Sequence, residues 1–363
     1  PLEAFELWAS KGESSACDYT FHMGVSRFDP STAAAITEIA NRGIASLKVF
    51  LAYKGAFGIN DQELFDTLSL AKQLGLIVTA HCENETLIAM LQSRLLQAGK
   101  TGPQWHEPSR PPRVEAEGVH HLMTFAELTG AATYIVHLSC KEALDQAIAA
   151  RQRGVRVSVE TLIQYLTLDK SHAEKPRFEG AKYVMSPPLR TKESNAALWE
   201  GLRGGSIQVV ATDHCPFDFK GKKDMFGKDD YKKIPNGAPG IETLAMLLHS
   251  EGVVKGRISL ERMVDVLSTG TARMFGLKNK GEIAVGKDAD IVVFDPNQTF
   301  TISQGKLHMN VDYTPFEGLE ITGMPSAVYS RGAKVARWNG DQMEFVGKVG
   351  HGRFVKREPF EGF

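Results

Sequence analysis

The chain has no apolar run of the length needed to cross a bilayer, and no charged lead with an apolar stretch behind it opens the sequence. It begins at Pro1 without an initiator methionine, so targeting is not read from it. Cysteine is scarce. The four thiols, Cys17, Cys82, Cys140 and Cys215, are far apart and form no Cys-x-x-Cys pair, which argues against a disulfide framework and a thiolate zinc site. Free thiols of this kind fit a reducing compartment, the cytoplasm. Neither sign of charge is in excess, with 42 Lys and Arg against 43 Asp and Glu. No basic field therefore exists to attract nucleic acid or an anionic membrane, and small neutral substrates fit better. Neither Gly-x-Gly-x-x-Gly nor Gly-x-x-x-x-Gly-Lys-Ser/Thr occurs.

What is present is a chain of 363 residues, 42% hydrophobic, long enough for one large domain and a smaller one. From about residue 17 to residue 275, apolar runs of strand length alternate with helical patterns. Strands are expected over 17–25, around Lys48, and over 76–80, 133–136, 155–159 and 207–211. Ser31 is expected to cap a helix that runs to Asn41 and stops at Gly43. Asn60 and Glu63 read as a capping box for a helix that ends before Gly75. Further helices are expected after Asn84, over 119–128 and over 141–153, while the stretch 101–117, rich in Pro, Trp and Arg, reads as a long loop. Such alternation means a parallel sheet, either doubly wound or closed as a barrel. Lys48, His81, His137 and Asp213 stand at the C-terminal ends of successive strands, where barrel active sites lie, and this favours an α/β fold of the (β/α)8 TIM type. Six of the eight strands can be placed. From about Gly281 short strands with glycine turns and no intervening helix read as a small β appendage.

Lys48 lies in the middle of the apolar run from Gly43 to Gly55. Removing an ammonium from water costs several kcal/mol or more, and a buried lysine can instead lose its proton and become a nucleophilic amine. The competing reading is an edge-strand lysine facing solvent. His81 or His137 taken alone is more often structural. On neighbouring strand ends together with Asp213, they can converge, and imidazole and carboxylate suit a zinc ion with an open position. His22, His120, His121, His172, His249 and His308 lack that placement.

Six motifs occur in order: Ser46-Leu-Lys48-Val-Phe-Leu-Ala-Tyr53-Lys-Gly, Thr79-Ala-His81-Cys-Glu-Asn, Tyr134-Ile-Val-His137-Leu-Ser-Cys, Val184-Met-Ser186-Pro-Pro-Leu-Arg, Ala211-Thr-Asp213-His-Cys-Pro-Phe and Ile234-Pro-Asn236-Gly. Together they resemble the dihydropyrimidinase and D-hydantoinase family of cyclic amidohydrolases, over nearly the whole chain. The resemblance implies hydrolytic ring opening of 5,6-dihydropyrimidines and hydantoins. It implies that Lys48 carries a carbamate bridging two zinc ions, with His81 and His137 on one zinc and Asp213 on the other. Two cations would compensate the buried carbamate anion. By the same resemblance a bridging hydroxide attacks the amide carbon, Tyr53 stabilises the oxyanion, and Asp213 passes the proton to the leaving nitrogen. The backbone groups of Ser186 and Asn236 would grip the imide edge of the ring. A loop serine before Pro-Pro and an Asn-Gly turn are the competing readings of those two residues.

The resemblance further implies a barrel over 1–280, incomplete at its N-terminus, and over 281–363 the C-terminal part of a β-sandwich followed by an oligomerisation tail of a homotetramer. One departure stands out. The family's second zinc also takes a His-x-His pair, and none of the eleven histidines here stands two residues from another. The chain as written is therefore expected not to turn over substrate alone. Three other readings compete: a non-catalytic scaffold of the collapsin response mediator type, which lacks the metal ligands, an allantoinase or dihydroorotase, and a metal-free binding barrel. Lys48, His81, His137 and Asp213 together favour the enzymes, and the contexts of Tyr53 and Asp213 favour the hydantoinase type.

Overall fold

A computed structural model describes residues 1–360 of this chain. Its centre is a sheet of six parallel strands in sequential order: β1 (Met23–Gly24), β2 (Ser46–Phe50), β3 (Ile77–His81), β4 (Ala132–Ile135), β5 (Val157–Leu162) and β6 (Val209–Ala211). A closed barrel of this type has eight strands. Here β1 and β6 are the edges of a six-stranded arc of that barrel.

Nine helices are named here: α1 (Leu2–Gly12), α2 (Pro30–Asn41), α3 (Asp61–Leu74), α4 (Glu85–Gln97), α5 (His106–Ser109), α6 (Pro112–Thr129), α7 (Lys141–Gln152), α8 (Ile163–Thr167) and α9 (Lys192–Arg203). The helices that cross between strands bury apolar stripes on the outer face of the sheet, where Ile36, Leu64, Leu68, Val119, Leu122 and Leu198 join Leu47, Val49, Val78 and Val159 in the main core. The inner face has its own plug, made of Ile77, Ala132, Tyr134 and Val209 packed on Met274 and Phe275. Register aligns Lys48 with Thr79, Thr79 with Tyr134 and Tyr134 with Ser158, while His81 pairs with Phe50 one inward step nearer the mouth. Because side chains alternate across a strand, Lys48 and His81 share the inner face at successive levels.

The local signals behaved unevenly. Asn60 and Glu63 form the expected capping box of α3, and Gly75 ends it in the left-handed conformation at φ 67°. The cap of α2 is Asp29 and not Ser31: the Asp29 carboxylate accepts the Thr32 N–H, and Pro30 takes the first helical position, where its missing N–H costs nothing. The same tolerance of proline explains why 101–117 is not a loop throughout. Pro112 opens α6, seven residues ahead of the expected start at Val119. Of the strand expected over 17–25, only Met23–Gly24 pairs with β2, because Tyr19 is instead bridged to Phe354 near the chain end.

The appendage is one antiparallel sheet of β7 (Ile291–Thr301), β8 (Glu320–Ser330), β9 (Ala333–Trp338) and β10 (Met343–Phe345). It is a single layer among the described residues, where a sandwich has two. The closing segment does not fray as an irregular tail would. The Arg357 N–H donates to the Gly43 carbonyl at 2.8 Å, the Phe360 N–H donates to the Gly75 carbonyl at 2.7 Å, and the Phe354 ring stacks on Phe21 with centroids 5.8 Å apart. Residues 361–363, the end of the expected oligomerisation tail, lie outside the described residues.

Candidate active site

The C-terminal ends of β2, β3, β4 and β6 deliver the chemistry. Lys48 projects inward from β2 with its ammonium 4.8 Å from the centre of the Phe50 ring. Burial lowers its pKa to about 8, a pull that the charges of Asp213 and Glu160 oppose without cancelling. His81 ends β3 and His137 follows β4, and both are almost fully buried. Nδ1 of His81 faces Nε2 of His137 at 3.1 Å. Burial, reinforced by the neighbouring His81 and Lys48, holds the His137 ring well below the usual histidine range and therefore neutral. Asp213 follows β6 at the open edge, where its side chain remains accessible to solvent. The protein atoms crowded around its carboxyl still raise its pKa, against the pull of Lys48 and His81.

Two of these residues, and Tyr53 three residues past β2, carry a strained backbone. Tyr53, His137 and Asp213 have φ of 65°, 42° and 43°, a region that side chains other than glycine seldom adopt. Such strain persists where the surroundings over-determine it, and functional sites are the usual place. The His137 N–H is held by Oε1 of Glu160 at 2.9 Å, and Oε2 of Glu160 accepts the Tyr134 hydroxyl at 2.6 Å.

The second cluster sits beside the first. The Tyr53 ring lies 5.2 Å from that of His81 and packs beside the Phe50 and Phe57 rings, 6.2 and 5.0 Å away. Burial raises the Tyr53 hydroxyl above its ordinary range, so it remains a proton donor. The Ser186 hydroxyl donates to Oδ1 of Asn236 at 2.8 Å and stands 3.3 Å from Nε2 of His106. All seven residues singled out from the sequence thus lie at the same mouth. Four others had escaped notice. Glu83 accepts the Nε2–H of His81 at 2.8 Å and pairs with Arg110, and His106 and Glu160 complete the set. Burial alone would raise the Glu83 carboxyl, but Arg110 and His81 outweigh it and hold its pKa at about 2. A Glu two residues past a strand-end histidine was a readable signal. Arg110, inside a proline-rich stretch, carried none.

The residues suit a metal ion. Two nitrogens bound to one tetrahedral zinc at about 2.0–2.1 Å stand roughly 3.4 Å apart, close to the 3.1 Å between the facing nitrogens of His81 and His137. The Glu83 carboxylate behind His81 supplies the outer partner that metal-bound histidines characteristically have. Another trio of carboxylates, Asp18, Asp288 and Asp290, also converges, but Lys280 already satisfies it with contacts of 2.7, 3.0 and 2.6 Å.

Residues 16–335 match the Amidohydrolase family. The D-hydantoinase of Geobacillus stearothermophilus is 46% identical over 364 residues, covering 99% of this chain and 76% of that protein. Among solved structures, the D-hydantoinase (dihydropyrimidinase) from Thermus sp. is 51% identical with a TM-score of 0.95, covering 99% of this chain and 78% of the other. The dihydropyrimidinase from Brevibacillus agri NCHU1002 is 46% identical with a TM-score of 0.95, covering 99% and 77%. With likeness of this extent in both sequence and fold, the chain belongs to the amidohydrolase family, in its branch of D-hydantoinases and dihydropyrimidinases.

Proposed function

We propose that this protein is a zinc-dependent cyclic amidohydrolase that opens the rings of 5,6-dihydropyrimidines and hydantoins. The observation that carries this reading is the inward-facing Lys48, whose amine is brought to about 8 by burial, below a pair of facing histidine nitrogens. The neutral amine can attack carbon dioxide, forming an N–C bond and releasing a proton, and the product is a carbamate anion able to bridge two cations. His81 through Nδ1 and His137 through Nε2 would hold one zinc, and Asp213 with the Lys48 carbamate would take part in a second. Bound zinc supplies a Lewis acid and a water acidified to near neutrality.

The remaining roles fall to the chain itself. The Tyr53 hydroxyl, kept protonated, donates to the oxygen of the ring carbonyl as negative charge develops there. Asp213, exposed at the mouth and with its affinity for a proton raised, accepts a proton during attack and returns it to the leaving ring nitrogen. The hydrogen bond between the side chains of Ser186 and Asn236 sets the spacing of their backbones, which grip the imide edge. Among the described residues Asp213 and the Lys48 carbamate are the ligands we assign to the second zinc, so turnover would require further ones. We assign 1–280 to the barrel, 281–363 to the appendage and tail, and the assembly to a homotetramer.

The test is a metal analysis of the full-length protein together with ring-opening assays on dihydrouracil and hydantoin. Activity lost to a chelator and restored by zinc is expected. Ring opening that persists in the metal-stripped protein would overturn the reading.

A further inference from the structure

The roles above leave Arg110, the buried partner of Glu83, without a task. Glu83 is fully buried and Arg110 almost so. They come from separate places, Glu83 from just past β3 and Arg110 from the turn between α5 and α6. One oxygen, Oε2 of Glu83, accepts both the Nε2–H of His81 at 2.8 Å and an Nη1–H of Arg110. The Arg110 guanidinium lies 5.3 Å from the centre of the Tyr53 ring. Arg110 is itself anchored, since buried Arg190 donates to its carbonyl and pairs with Glu115 of α6 at 2.9 Å. A pair as dry as this seldom improves stability over an apolar replacement, so its retention calls for another cause.

We propose that Glu83 and Arg110 are positioning residues that lock the histidine and tyrosine halves of the site into one unit. Glu83, by accepting the Nε2–H, leaves the lone pair on Nδ1 of His81, the atom that faces His137. Arg110 spans from that carboxylate to the Tyr53 ring, so one guanidinium sets the distance between the ligand and the oxyanion donor. The stretch 101–117 thereby acquires a function, which is to carry Arg110 into the barrel mouth. This inference rests on the ring-opening reading for the meaning of the two halves, but not for the tautomer.

Three measurements on the full-length protein test it. In long-range 15N–1H spectra of the metal-stripped parent, His81 is expected as the Nε2–H tautomer, and an Nδ1–H tautomer would overturn the assignment. This arm needs neither zinc nor turnover, so it decides the Glu83 role even if no ring is opened. Competition with a chromophoric chelator should show Glu83→Gln weakening zinc by about 10–100-fold, and an affinity within about threefold of the parent would refute it. If the unpaired arginine prevents that variant from folding, Glu83→Gln combined with Arg110→Met removes both charges and should show the same loss, with parental affinity counting against the proposal. Arg110→Lys keeps the charge but not the planar fork. It should hold zinc like the parent yet lower kcat about tenfold through Tyr53, and an unchanged kcat would remove Arg110 from the proposal.

Discussion

Replacing Lys223 by methionine should make this protein more stable in neutral and acidic solution. The Lys223 side chain is fully buried, and its ammonium donates to the carbonyls of Ala181 and Val184 at 3.2 and 2.9 Å. It forms no ion pair among the described residues. Burial lowers its pKa from 10.5 to about 7, slightly opposed by Cys215. At about 1.4 kcal/mol per pKa unit, the charged form costs the folded state on the order of 4–5 kcal/mol. The sign follows from proton counting. Between pH 7 and 10.5 the unfolded chain holds a proton that the folded chain has released, so stability rises with pH across that window and the full penalty is present below pH 7.

Methionine keeps the stem and removes the charge. Both carbonyls retain a partner, because the Gly237 N–H donates to Val184 at 3.0 Å and the Val184 N–H donates to Ala181 at 3.2 Å. Losing two hydrogen bonds offsets roughly 2–3 kcal/mol, leaving a net gain of about 2 kcal/mol at pH 6 that shrinks as pH rises and reverses sign toward pH 10. Urea denaturation of metal-stripped parent and Lys223→Met at pH 6, 8 and 10 measures it. A variant less stable at pH 6, or a difference that does not change with pH, would refute the reasoning. The lysine has a place in the site's support: its ammonium fastens the 219–223 segment to the carbonyls of Ala181 and Val184, on the loop that leads to Ser186, and the Gly237 N–H joins that same Val184 carbonyl to the loop of Asn236.

Five further outcomes are expected. Lys48→Ala should lose zinc and activity together, with partial recovery in short carboxylic acids that replace the bridge, and full zinc content in that variant would sink the carbamate. Asp213→Asn should keep most of its zinc while kcat falls by about 10²–10⁴-fold, and near-normal kcat would show that the proton travels by another route. Elemental analysis of residues 1–363 should find one tightly held zinc per chain, since among the described residues only His81 and His137 form a facing nitrogen pair, and two of equal affinity would show the ligand count to be wrong. Removing residues 350–363 should cost about 2 kcal/mol or more by uncovering Phe5 and Phe21. The same truncation should lower the oligomeric state in sedimentation if the tail joins the proposed homotetramer, and an unchanged sedimentation coefficient for the assembly would separate the tail from it.

The sequence by itself determined the alternation of strands and helices, and with it the parallel sheet, because apolar period and capping residues act within a few neighbours. The Asn60 and Glu63 box and the Gly75 stop are of this kind. It also placed Lys48, His81, His137 and Asp213 at strand ends, since the end of a strand is a local property and barrel chemistry gathers there. Where two local signals competed, neighbours in space decided. Tyr19 had strand character but met Phe354, more than three hundred residues away, and the proline-rich stretch began a helix where a loop was expected.

Only the tertiary structure decided which ring nitrogens face one another and what stands behind them. Nδ1 of His81 meets Nε2 of His137 because β3 and β4 are adjacent and in register, and no spacing along the chain encodes a tautomer. Arg110 reaches Glu83 from twenty-seven residues away along the chain, and Glu160 reaches the N–H of His137 from the next strand. These groups are charged residues made affordable in a dry interior by partners that are remote in sequence. A buried charge is legible only with its partner, and the partner is chosen by the fold.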